Sequence, residues 1–363
     1  MKTAGSCRIA FFNPRTLICF ALCAAGLVLA LAPVSNAVAG DNTATELSAS
    51  VPAQATGGIW TATGDLGAPR DQHTATLLPN DQMLLAGGER SVGVTLESLA
   101  SAQLYHPAIG RWQRVANMNH KRHGHTETLL PNGQVLVTGG APCGDACSPD
   151  RRGSAELYDP TTRTWTDTGS MASARWFHTE TLLPNGQVLV VGGSGRELHD
   201  SGDLVTAELY DPATGMWTPT GSTTTPHAYH TATLLPSGHV LVAGSIASTT
   251  MQSAELYDPA TGVWTPTGDL TTARVFHAAT LLPNGQVLVA GGASLETAEL
   301  YDPVNGMWTP TASMTTPRSR HTATLLPNGQ VLVAGGRGHD TPPFTSLVSA
   351  ELYESAPEAL DIH

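Results

Sequence analysis

Apolar positions along the chain come in short bursts. Beyond residue 58, runs of four or five aliphatic or β-branched residues alternate with turns built on Pro, Asn, Asp and Gly, and no stretch keeps the spacing of an amphipathic helix. The bursts repeat: HTATLLPNDQMLLAGG at His73 returns as HTETLLPNGQVLVTGG at His125 and HTETLLPNGQVLVVGG at His178. It recurs as HTATLLPSGHVLVAGS at His230, HAATLLPNGQVLVAGG at His277 and HTATLLPNGQVLVAGG at His321. Each copy is followed by Ala-Gln/Glu-Leu-Tyr, ending at Tyr105, Tyr158, Tyr210, Tyr257, Tyr301 and Tyr353. A Trp stands seven residues after each of the first five Tyr: Trp112, Trp165, Trp217, Trp264 and Trp308.

Each unit predicts four short strands. Thr-x-Thr-Leu-Leu is the first, and Pro-Asn-Gly reverses the chain because Pro presets φ while Asn and Gly tolerate a positive one. Gln-Val-Leu-Val is the second, closed by a glycine pair where backbone passes close to backbone. Ala-Glu-Leu-Tyr is the third and the Trp segment the fourth. One such sheet cannot cover both its faces, so the units are expected to stack radially, with Tyr and Trp between them. The count also predicts how the ring closes. Trp60 precedes the first unit, and Leu360 stands where a Trp is due after Tyr353. The strand around Trp60 is therefore expected to complete the last sheet, and deleting residues 59–66 to lower the melting temperature sharply. An unchanged melt would refute that closure.

The recurrent Arg-x-x-His, Gly-Gly, Tyr-Asp-Pro and Trp pattern resembles kelch repeats across residues 59–354. The phrase LLPNGQVLVAGG is similar to bacterial secreted kelch proteins and to the propeller of galactose oxidase. The resemblance implies an all-β, six-bladed kelch β-propeller of four-stranded antiparallel blades, with each first strand nearest the axis. It says little about activity, because kelch propellers serve both binding and catalysis.

Segment lengths single out one face. His to first Gly is always 14 residues, Trp to His 13 and Tyr to Trp seven, so every length difference falls between the second and third strands. That loop has 13, 14, 13, 8, 5 and 13 residues in units one to six. Loops on a rigid scaffold commonly carry binding chemistry, although they also tolerate insertion without function.

Residues 1–39 hold no acidic residue and place Lys2, Arg8 and Arg15 ahead of an apolar run from Leu17 to Ala32, followed by Ser35-Asn36-Ala37 and Ala37-Val38-Ala39. This is the build of an export signal, and the run is short of the ~20 residues that a membrane span needs. The domain plan is a signal over 1–39, a linker over 40–58, the repeats over 59–354 and a tail over 355–363. The expected destination is secreted or periplasmic/cell envelope, with no membrane insertion after cleavage. Of 18 basic residues three leave with the signal, so 15 face 30 acidic ones, which disfavours nucleic acid as a partner. Outside the cytosol, Cys143 and Cys147 are expected to form a disulfide rather than half of a metal site.

Candidate site residues lie where each first strand begins. Arg70, Arg122, Arg175, Arg274 and Arg318 stand three positions before the repeated His, with His227 in unit four. They are expected to ring the entrance on the long-loop face as donors to an anionic ligand, or to pair internally with Glu156, Glu208, Glu255, Glu299 and Glu351. The six His, spread about an axis, cannot converge on one ion, so no metal is expected. Between Arg and His the units differ, and Trp176 and Tyr229 are expected to stack on a sugar ring or pack between blades, with Arg320 beside them. His199, Asp200 and Asp203, and the His339-Asp340 pair, read as solvated loop tips or cation ligands.

Tyr229-His230 matches the context of one pair of galactose oxidase copper ligands, but neither Cys143 nor Cys147 suits that family's cross-link; separately, the Asp-Pro-Ala-Thr-Gly turns lack the Ser-x-Asp-x-Gly order of sialidase boxes. No cofactor and no catalytic residue is assigned. The expectation is a monomeric, exported, non-enzymatic module binding a polysaccharide or an extracellular or envelope protein through the long-loop face. The alternative is a carbohydrate-active enzyme, such as a sugar mutarotase or oxidase, working at the channel mouth.

Overall fold

The computed structural model describes residues 65–92, 95–142, 153–195, 202–246, 251–338 and 346–355. The repeats lie in one compact unit, Thr63–His363. The signal, the linker and Trp60 fall outside the described residues, as do most of the tail and the Cys143–Cys147 pair.

Blade one runs through β1 (Thr74–Leu77) and β2 (Met83–Ala86), a separate hairpin of β3 (Glu89–Val92) and β4 (Thr95–Ser98), then β5 (Ala102–His106) and β6 (Arg111–Arg114). Blade two is β7 (Thr126–Leu129), β8 (Val135–Thr138), β9 (Ala155–Asp159) and β10 (Thr164–Asp167). Blade three is β11 (Thr179–Leu182), β12 (Val188–Val191), β13 (Ala207–Asp211) and β14 (Met216–Pro219). Blade four is β15 (Thr231–Leu234), β16 (Val240–Ala243), β17 (Ala254–Asp258) and β18 (Val263–Pro266). Blade five is β19 (Ala278–Leu281), β20 (Val287–Ala290), β21 (Ala298–Asp302) and β22 (Met307–Thr311). Blade six shows β23 (Thr322–Leu325), β24 (Val331–Ala334) and β25 (Ala350–Tyr353) among the described residues.

Every sheet is antiparallel with neighbours in chain order, as predicted for a six-bladed all-β propeller. The register repeats: each Tyr lies opposite its Trp, as in Tyr210↔Trp217 and Tyr257↔Trp264. The first strands β1, β7, β11, β15, β19 and β23 are successive neighbours around the axis. The ring comes round on itself, for Asp71 of blade one lies in the field of Arg337 and Arg320 of blade six.

The core is divided among the interfaces between consecutive blades. Leu84, Ala86 and Leu104 of blade one meet Val135, Val137 and Tyr158 of blade two, and equivalent clusters join two to three, three to four, four to five and five to six. Tyr158, Tyr210, Tyr257 and Tyr301 are fully buried, each about 5 Å from its Trp ring. The Trp indole ties blades together: Trp165 donates to the Ala116 carbonyl (2.9 Å), Trp217 to Gly169 (2.7 Å) and Trp264 to Gly221 (2.8 Å). Between blades five and six a cavity of about 140 Å³ is lined by Ala312, the counterpart of those acceptors, with Leu288, Met314, Val333 and Tyr353.

The tight turns follow their residue chemistry. In Pro-Asn-Gly the glycine takes the left-handed conformation (Gly133 φ 84°, Gly186 φ 86°), and in blade one Asp81 takes it at φ 62°. The long loop of blade one contains the β3–β4 hairpin, fastened by the Arg90–Glu97 ion pair at 2.8 Å.

Candidate functional site

The segment before each repeated His runs beside the start of that blade's variable loop. Asp71 bridges Glu89, His123 bridges Ala141, Trp176 bridges Ser194, and Ser319 bridges Arg337. The channel mouth and the long loops therefore share one face, as the segment lengths predicted.

The repeated arginines do not form an open ring of cations. Arg122, Arg175, Arg274 and Arg318 are at most 1% exposed. Arg175 donates to the carbonyls of Gly192 (2.7 Å) and Thr206 (2.9 Å) and to Glu208 (2.8 Å). Arg122 with Glu156, Arg274 with Glu299 and Arg318 with Glu351 repeat the pattern. A buried guanidinium must have its donors met, and here the carbonyls at both ends of the variable loop and the third-strand carboxylate meet them. The expectation that these side chains greet a ligand is thus corrected: they brace the roots of the loops. Arg70 does likewise, donating to Gly87 and Ser101 carbonyls, but blade one has Gln103 where other blades have Glu. In blade four, His227 substitutes, with one nitrogen 2.8 Å from the Gly244 carbonyl and the other 3.2 Å from Glu255. Burial alone would raise Glu255, yet bonds from His227 and from Thr224 and Thr225 bring it down to about 2.

The repeated histidines link first strands. His125 Nε2 meets the Thr74 hydroxyl (2.9 Å), His178 meets Thr126 (2.7 Å), His230 meets Thr179 (2.8 Å) and His277 meets Thr231 (3.0 Å). Burial, then the charge of the neighbouring arginine, pushes His125 and His277 down to about 3 and His321 to about 4. These rings stay neutral in the folded protein but take up protons near pH 6.5 when unfolded. Their contribution is complete above pH 6.5 and is lost as pH falls from there towards 3. Five such rings, His178 and His230 being held low as well, outnumber the three carboxyls that burial raises to about 7 or 8 (Glu89, Glu127 and Glu180) and that take up protons in the opposite sense, so urea midpoints should decline from pH 6 to pH 4. A flat profile across that range contradicts the assignment.

The side chains that reach the mouth come from the position just before each His. Gln72, Phe177, Tyr229, Phe276 and Arg320 all have φ between 49° and 59°, and Gly124 holds the same position in blade two. Left-handed backbone is strained for bulky residues. It aims each N–H at the preceding blade: Phe177 donates to Gly124 (2.9 Å), Tyr229 to Phe177 (3.2 Å), Phe276 to Tyr229 (3.3 Å) and Arg320 to Phe276 (2.9 Å). Their side chains form an arc. Trp176 leans on Phe177 (ring centroids 4.7 Å), Phe177 stacks on Tyr229 (4.2 Å), Tyr229 meets Phe276 edge-on (4.5 Å), and the Arg320 guanidinium lies 3.5 Å over Phe276. Three predicted residues, Trp176, Tyr229 and Arg320, are thus brought together, joined by Phe177 and Phe276. Burial pushes the Tyr229 phenol well above its usual range. Phe177 covers one face of Tyr229 within the arc, which leaves it a poorer platform for a sugar ring.

Blade one sets two carboxyls side by side, Asp71 and Glu89, through their backbone bridge. Glu89 is 3% exposed, accepts from Gln72 and lies 3.9 Å from His123 Nε2, whose other nitrogen is 2.8 Å from the Ser98 hydroxyl. Burial, with Asp71 adding repulsion, raises Glu89 to about 7. Sequence reasoning missed Glu89, whose only signal was a carboxylate directly after a glycine pair. Asp203 accepts from Ser194 (2.9 Å), whereas His199, Asp200, His339 and Asp340 lie outside the described residues.

Among the described residues, one cluster has metal-ligating atoms within 4.8 Å of one another: His120, Glu156 and Asp167. Its central carboxylate is already filled, since Glu156 accepts from Arg122 and from the backbone of Asn119 and His120. A cation there would have to displace a buried guanidinium.

No protein-family model matches the chain. It is similar to a kelch repeat and BTB domain-containing protein of Caenorhabditis elegans, 28% identical over 144 residues, covering 39% of this chain and 23% of that protein. It is also similar to Kelch-like protein 15 of Danio rerio, 27% identical over 172 residues (44% and 27%), and to an F-box/kelch-repeat protein of Arabidopsis thaliana, 28% over 136 residues (38% and 34%). The matches span about a quarter to a third of each relative's length. Six-bladed architecture and kelch relatives together support a kelch-repeat protein. No helix among the described residues is long and apolar enough to cross a membrane.

Proposed function

We propose that the chain is an exported binding module that engages a protein partner through the face bearing the long loops and the channel mouth. Kelch propellers are typically protein-binding scaffolds. The observation that carries the reading is the strained arc of Phe177, Tyr229, Phe276 and Arg320, because strain of this kind is retained where side chains do a job that the fold does not require. Gly124 makes the same backbone turn without a side chain. The charged end, apolar run and small residues of the first 39 positions support export, and the likeness of the LLPNGQVLVAGG phrase to secreted galactose oxidase-like kelch proteins points the same way.

Screening the purified protein against arrays of extracellular proteins and of glycans tests this. A protein ligand whose affinity drops at least tenfold on Trp176→Ala with Tyr229→Ala supports it. Binding confined to glycans moves the reading to a polysaccharide, and undiminished binding removes the mouth. A second reading has its own observation: Glu89 titrates near neutrality beside Asp71 and His123, as a general acid or base at the mouth should. Anomer exchange in a sugar panel, abolished by Glu89→Gln, would establish the enzyme instead.

A further inference from the structure

Among the described residues, five junctions between blades are sealed alike, and the one between blades six and one is not. A Cβ added to the glycine that ends a second strand would strike the backbone of the next blade. It would lie 2.8 Å from the Arg122 carbonyl oxygen at Gly87, 2.5 Å from that of Arg175 at Gly139, 2.8 Å from that of Arg274 at Gly244 and 2.6 Å from that of Arg318 at Gly291. Gly192 is closed off likewise by the His227 carbonyl. At Gly335 of blade six the added atom would meet only Leu347 of the same blade, at 3.9 Å, and nothing of Arg70 or His73 in blade one within 4 Å. Apolar burial shows the same break. Met83 of β2 is 36% exposed, whereas Val135, Val188, Val240, Val287 and Val331 at its position are 0% exposed. Leu352 of β25 is 56% exposed, whereas Leu104, Leu157, Leu209, Leu256 and Leu300 pack into clusters shared with the next blade. His73 is exposed where the other five repeated histidines are buried.

Blade one itself departs from the repeat at this junction. Elsewhere a third-strand carboxylate accepts from the chain that crosses between blades: Glu156 takes the N–H groups of Asn119 and His120, and Glu208 those of Ala172 and Ser173. Blade one has Gln103 at that position, a neutral amide that makes weaker hydrogen bonds than a carboxylate. Attraction across the gap nevertheless persists. Asp71 of blade one lies in the field of Arg337 and Arg320 of blade six, and Met83 and Leu352 would gain by burial. Weak ties combined with a standing attraction make a hinge with two positions. We propose that the propeller opens and shuts at the seam between blades six and one, with blade six as the flap, while the other five junctions stay closed. Opening draws Arg320 and Arg337 away from Asp71 and Glu89, so the mouth widens on its charged side and Phe177, Tyr229 and Phe276 keep their places.

Double electron–electron resonance between spin labels carried on p-acetylphenylalanine tests this. The labels go at exposed Asn positions of the second-strand turns, where replacement leaves the core untouched. Asn80 and Asn284 flank blade six, and Asn185 and Asn284 flank blade four. In a ring shut at every junction the repeat makes these two distances equal. The hinge predicts one narrow peak for Asn185 with Asn284. For Asn80 with Asn284 it predicts that same peak together with a second, longer one. Asp71→Asn, which removes the attraction from an exposed position, should raise the longer population by roughly twofold. Two coincident narrow peaks overturn the proposal, because the seam is then shut. A single longer peak that Asp71→Asn leaves unmoved overturns it too, because the gap is then fixed.

Discussion

Arg274→Ala is expected to destabilise the propeller by about 3–5 kcal/mol, because it strands a buried carboxylate. Glu299 is 1% exposed, and Arg274 supplies two of its hydrogen bonds, at 3.0 and 2.9 Å. The same guanidinium also holds the carbonyls of Gly291 (2.8 Å) and Thr297 (2.7 Å), the two ends of the five-residue loop of blade five. Removing it leaves three acceptors to be rehydrated inside a packed blade. Arg274→Lys should recover only part of the loss, since an ammonium cannot span two carbonyls and a carboxylate as the planar fork does. Equilibrium urea unfolding of the three proteins measures this. A loss under about 1 kcal/mol for the alanine variant would mean that the arginine is not the brace described.

Gly193→Ala is expected to be of similar severity for a steric reason. Gly193 has φ +88°, and an added Cβ would lie 2.7 Å from the Trp176 carbonyl oxygen and 2.8 Å from His178 Cβ. Backbone on one side and the Cβ of a buried histidine on the other cannot give way cheaply, so a cost above about 3 kcal/mol is expected. Gly186 is the control. Its φ is +86°, nearly the same, but nothing lies within 4 Å of the added atom. Gly186→Ala should therefore cost only about 1 kcal/mol, the conformational penalty alone. Comparable losses in both variants would show that conformation and not crowding sets the requirement for glycine.

The architecture was legible because six copies of one pattern average away the ambiguity of any single copy. The turns and the Tyr and Trp positions follow from intervals that never vary, and the loop-bearing face from the one interval that does. The strained arc was hidden. Phe177, Tyr229, Phe276 and Arg320 are not of one residue type, and only Gly124 betrays a left-handed position there. The inward turn of Arg122, Arg175, Arg274 and Arg318 was one of two readings, and side-chain direction at the end of a strand chose between them. The β3–β4 hairpin went unseen because Glu89–Val92 and Thr95–Ser98 lack the apolar alternation of a half-buried strand.

Monotonous positions hold the propeller together, and the proposed function assigns partner binding to the unrepeated positions at one mouth. Placing the photo-crosslinker p-benzoylphenylalanine at Trp176 or Gln72 on the mouth, and at Asn132 or Asn185 on the opposite turns, tests that division most directly. Irradiation with a bound protein partner should give adducts from the mouth positions and none from the turns. Adducts arising chiefly from Asn132 or Asn185 would contradict it.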